Sequence, residues 1–90
     1  MNNADEAMVQ RNIELSAEFS RYLFEHPEIE AALPKGAEIV FLPDFDVDLC
    51  AYNSQLGREM EARGERVVSV LVGPLREKII SRIESIAVQV

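Results

Sequence analysis

A chain of 90 residues with a net charge of −7 has room for one domain and one hydrophobic core, spanning 1–90. Its 48 % hydrophobic and 28 % charged residues are those of a folded globular protein and exclude wholesale disorder. Nine Lys and Arg are scattered among sixteen Asp and Glu without forming a basic stripe, which opposes a nucleic-acid backbone or an anionic lipid surface as partner. The single cysteine, Cys50, excludes an internal disulfide and an all-cysteine metal site, and it fits a reducing compartment. The N-terminus lacks a basic region followed by an apolar core, and no apolar run approaches a membrane span. The expectation is a soluble, cytoplasmic protein.

In chain order, Met1 to Ala4 precede a long helix over roughly Asp5 to Glu25. Met8, Leu15, Phe19, Tyr22 and Leu23 follow one another at offsets of 7, 4, 3 and 1, which sets them on one face, broadened by Ile13 and Phe24. Asp5 and Glu6 favour the positive end of the helix dipole. His26-Pro27 stops this helix, because proline has no N–H to donate and pushes the preceding residue out of helical geometry. Pro27 also suits the first turn of a new helix, so Glu28 to Leu33 reads as a short helix that Pro34 ends. Lys35-Gly36 then turns the chain into a strand.

That strand, Glu38 to Leu42, is nearly continuous in apolar residues, as expected when both faces are covered. Pro43 ends it. Asp44 to Asp48 forms a strand-to-helix loop with an aspartate available as N-cap. A second long helix follows from about Val47 to Arg63, with Leu49, Tyr52, Leu56 and Met60 stepping by 3, 4 and 4. Gly64 is placed to close it. A second strand covers Arg66 to Val72 and ends at Gly73-Pro74.

Strand, helix and strand in this order imply a parallel pair, since a crossover of this length is no hairpin. The tail from Leu75 is ambiguous. Leu75, Ile79, Ile83, Ile86 and Val90 have helical spacing, whereas Ile86-Ala-Val-Gln-Val90 is β-branched and strand-like. A helix from Leu75 to about Ser85, followed by a short strand, is the preferred reading. The fold class is therefore α/β (α+β): a small two-layer domain built on a parallel strand-helix-strand unit, with a long N-terminal helix and a C-terminal helix or strand. Two strands make too small a sheet to stand alone. Either the tail adds a strand or two chains pair, and the Ile- and Val-rich tail favours a homodimer.

Three places could carry chemistry. Asp44, Asp46 and Asp48 lie at the carboxyl end of a parallel strand, where open α/β sheets bind ligands. Their alternation resembles the first half of a calcium loop, but Leu49 stands where the sharp turn needs glycine and Gln55 where a bidentate glutamate belongs. They are weak metal candidates, and N-capping is the plainer role. The loop has no glycine to cradle a phosphate, and three carboxylates would repel one. His26, the sole histidine, reads as a cap or turn residue, and Cys50 as a buried thiol. Tyr52, Asn53, Ser54 and Gln55 offer polar groups on the crossover helix. No cofactor motif, catalytic triad, GxSxG or HExxH is present.

The run Asn12-Ile-Glu-Leu-Ser-Ala-Glu-Phe-Ser-Arg-Tyr-Leu-Phe-Glu-His-Pro-Glu28, the run Leu33-Pro-Lys-Gly-Ala-Glu-Ile-Val-Phe-Leu-Pro43 and the strand at Arg66 to Val72 resemble a family of short bacterial proteins filed as a domain of unknown function. The resemblance covers most of residues 8–72 and implies a small intracellular protein with no assigned reaction. From size, charge and the lack of a reaction motif, the first functional expectation is a non-catalytic interaction or regulatory protein, the acidic partner of a basic protein, of which an antitoxin is one example. The alternatives are a small-ligand or divalent-metal binder using the 43–48 loop, and an enzyme whose site forms at a dimer interface.

Overall fold

The computed structural model describes residues 3–77 and 81–90. Its elements run α1 (Asn3–Glu25), α2 (Pro27–Ala32), β1 (Glu38–Pro43), α3 (Val47–Ala62) and β2 (Val67–Val72). The two strands form one parallel sheet in which Glu38 pairs with Val67 and Pro43 with Val72. This is the α+β domain with a long N-terminal helix that the apolar periodicities imply. Pro43 lies inside β1 rather than beyond it. The ladder tolerates it because the next bond to β2 is donated by Asp44, whose N–H reaches the Val72 carbonyl at 3.0 Å.

Side-chain alternation divides the sheet. Phe41 and Val70 share one face, where Leu15, Met8 and Phe19 of α1 pack with Leu49 and Val72. Phe19 meets Phe41 edge to face, with ring centroids 5.2 Å apart. On the other face Gly57 of α3 lies against Val40 and Val67. A Cβ at Gly57 would stand 3.5 Å from Val40, so the helix approaches the sheet about as closely as ordinary packing allows. Helices thus cover both faces of β1. Over most of β2 the domain is two layers deep, and Leu71, on the same face as Val40 and Val67, is 82 % exposed.

The face expected for α1 is buried only in its middle. Leu15 is buried and Met8 and Phe19 partly so, but Tyr22, Ile13 and Phe24 are exposed, Phe24 at 89 %. For Tyr22 and Phe24 the reason is length, whereas Ile13 lines an open groove beside β1. A helix of 23 residues is about 34 Å long, while strands of six residues span about 20 Å, so α1 overhangs the sheet.

Helix ends are set by local chemistry. Asp46 caps α3, its Oδ1 accepting the Leu49 N–H at 3.1 Å. At the other end the Gly64 N–H reaches the Glu61 carbonyl at 2.9 Å and the Glu65 N–H reaches Met60 at 3.1 Å. This is a Schellman closure, and it places Gly64 at φ +86°, in the left-handed region that glycine enters freely.

The tail departs from expectation. Residues 73–77 and 81–90 form neither the helix expected over Leu75 to Ser85 nor the strand beyond it, and every one of them is exposed. Lys78, Ile79 and Ile80, part of that expected helix, lie outside the described residues. An amphipathic segment of about eleven residues is marginal as a helix in water unless a neighbour buries its apolar stripe, and here the described tail has no such neighbour.

Candidate functional site

Along a parallel strand, the residues that bond the neighbour alternate with residues whose N–H and C=O turn outward. Glu38 donates to Arg66 at 2.8 Å and Asp44 to Val72, so Ile39, Phe41 and Pro43 present their backbone groups to the outer edge of β1. There α1 and α3 meet around the strand. Asn53 of α3, only 2 % exposed, donates from Nδ2 to the Phe41 carbonyl at 2.9 Å. It also forms a reciprocal amide pair with Asn12 of α1, each side chain donating to the other at 2.8 Å. One buried side chain therefore ties both long helices to the strand edge, and no buried side-chain polar atom among the described residues is left without a partner.

Beside this network the edge opens into a groove of about 400 Å³ between α1, β1 and α3. Its walls are chiefly apolar, from Val9, Ile13, Ile39 and Leu56, with Tyr52 and the Asn12–Asn53 pair as the main polar points. Ile13 is 57 % exposed on its rim. Glu14 and Glu38, adjacent in sequence to Ile13 and Ile39, are exposed.

The residues singled out for chemistry lie elsewhere and do not converge. Asp46 is occupied as the α3 cap and stands 3.5 Å from the Arg11 guanidinium. Asp44 and Asp48 are exposed, Asp48 in the first turn of α3. Among the described residues no group of three or more His, Cys, Asp or Glu side chains is placed to hold a metal ion. Half-buried Cys50 lines a shallow cleft of about 310 Å³ with Pro43, Asp44 and Val47. His26 begins α2 without capping it. Its ring stacks on Tyr22, centroids 4.1 Å apart, and its Nδ1 lies 3.2 Å from Glu28.

Sequence reasoning placed Asn53 among the polar groups of the crossover helix and gave it no structural role. The signal that would have found it is its spacing, four residues after Leu49 and four before Gly57, on the stripe that α3 buries. Asn12 carried no such signal, since its role depends on where α1 crosses α3.

Fold and groove define a small α+β domain built on a parallel strand-helix-strand unit, with an apolar cleft at one sheet edge. The chain belongs to the Family of unknown function (DUF5647), whose sequence profile matches residues 7–86. The match extends past β2 into the tail, beyond the 8–72 span that carries the resemblance. No curated protein and no solved structure matches the chain. Among the described residues no helix is long and apolar enough to cross a membrane.

Proposed function

We propose that this chain is a small non-catalytic interaction or regulatory protein of the bacterial cytoplasm, a homodimer that binds a basic protein in the manner of an antitoxin. The observation that carries this reading is the groove at the β1 edge. It offers exposed apolar walls on a chain of net charge −7. An open apolar groove on an acidic chain suits an apolar side chain flanked by Lys or Arg, the groove supplying affinity and the net negative charge speeding encounter. The aspartates weighed as metal-binding and the lone His26 are instead engaged in capping, stacking or solvent, which favours binding over reaction.

The test is capture from the native host with tagged protein, at about 0.15 M salt and again near 1 M, where the screening length falls from about 8 Å to about 3 Å. A stoichiometric basic partner is expected, associating more slowly at high salt. The Ile13→Asp variant, which destroys the apolar wall without reducing the negative charge, should lose it. Recovery of the chain alone at both salts, or capture indifferent to Ile13→Asp, would overturn the reading.

A further inference from the structure

The two outer edges of the sheet are treated differently. At β1, Asn53 occupies the Phe41 carbonyl and Pro43 has no N–H to offer, so a strand arriving there would find its central hydrogen bonds blocked. At β2 the same alternation turns Val67, Ser69 and Leu71 outward, and none of the described residues hydrogen-bonds their backbone groups. Nor does β2 carry the usual defences of an edge. From Val67 to Val72 it has no charge and no proline, and Leu71 is almost fully exposed.

The segment Ile86-Ala-Val-Gln-Val90 has the complementary character. Ile86, Val88 and Val90 alternate with smaller or polar residues, all three are exposed, and the segment is uncharged. Its exposed β-branched side chains gain nothing in an isolated chain. The radius of gyration, 17.2 Å against roughly 12 Å for a compact chain of this length, shows how far the described structure reaches beyond a globule. Charge narrows the choice of contact. Two copies at −7 each repel unless they meet through neutral surface, and β2 and Ile86–Val90 are both neutral.

We infer that Ile86–Val90 of one copy adds as a third strand to the β2 edge of a second copy, and that the exchange is reciprocal across a two-fold axis. Each sheet then has three strands, the bare edge is covered, and the pairing closes at two chains. The inference rests on the homodimer part of the reading above and supplies its interface.

The test uses the full chain and its Val88→Pro and Val88→Lys variants, which alter a segment that packs on nothing in the isolated chain and leave the folded body intact. Sedimentation equilibrium should give a dimer whose dissociation constant rises roughly tenfold or more in Val88→Pro, because the proline removes a ladder donor. Amide exchange by NMR should show Val67, Ser69 and Leu71 protected in the dimer and unprotected on dilution and in both variants. A dimer unchanged by either variant would overturn strand exchange while leaving the homodimer reading in place. A monomer at millimolar concentration would overturn both. Protection of the same three amides in a monomer, independent of concentration, would show the tail folding onto its own sheet and would equally overturn exchange.

Discussion

Replacing Asn53 by alanine tests the packing argument most directly. The variant removes three hydrogen bonds: one to the Phe41 carbonyl at 2.9 Å and two to Asn12 at 2.8 Å. A typical bond contributes about 1 kcal/mol net, and a buried carbonyl left without a partner costs about 1–3 kcal/mol. The expected loss is about 3 kcal/mol, large against the roughly 5–13 kcal/mol available to a domain of this size. In urea denaturation followed by circular dichroism, with a slope of about 1–1.5 kcal/mol per M, the midpoint should fall by roughly 2–3 M with the slope unchanged. Asn12→Ala should cost only about 1 kcal/mol, because Asn12 is half-buried and water can replace part of what it provides. The double variant should then show a coupling of up to about 1 kcal/mol between the two sites. A loss below about 0.5 kcal/mol for Asn53→Ala, the scale of an ordinary surface change, would refute the claim that this side chain joins α1 and α3 to the strand.

Three further outcomes follow from single contacts. Gly64→Ala forces a Cβ into the left-handed closure of α3 and should lower stability by about 1 kcal/mol in the same assay. Gly57→Ala should be neutral or stabilising by up to about 1 kcal/mol, since its Cβ meets Val40 and Val67 at ordinary contact distance and alanine favours the helix, whereas Gly57→Leu should cost about 2 kcal/mol by pushing α3 off the sheet. Asp46→Ala should cost about 1 kcal/mol through loss of the α3 cap, and Asp46→Asn much less; equal losses would mean that the charge facing Arg11, rather than the cap, is what matters.

Much of this architecture is visible in the chain because its causes are local. Pro27, the left-handed glycine at Gly64, the Asp46 cap and the apolar runs at β1 and β2 each act within a few residues, so elements and boundaries can be read to within a residue or two. The parallel pairing follows as well, because a sixteen-residue helix between two strands permits no hairpin. The family is carried by the same local runs.

The remainder depends on residues far apart in sequence. Asn12 and Asn53, 41 positions apart, become partners only once α1 and α3 close around β1, and a polar side chain on a helix gives no sign by itself that it will be buried. The overhang of α1, which exposes Tyr22 and Phe24 despite their helical spacing, is a mismatch of lengths between a helix and a sheet. The tail shows the same limit most clearly. Leu75 to Val90 holds both a helical and a strand periodicity, and local preference cannot choose between them, since either form becomes stable only against a surface that buries its apolar side chains.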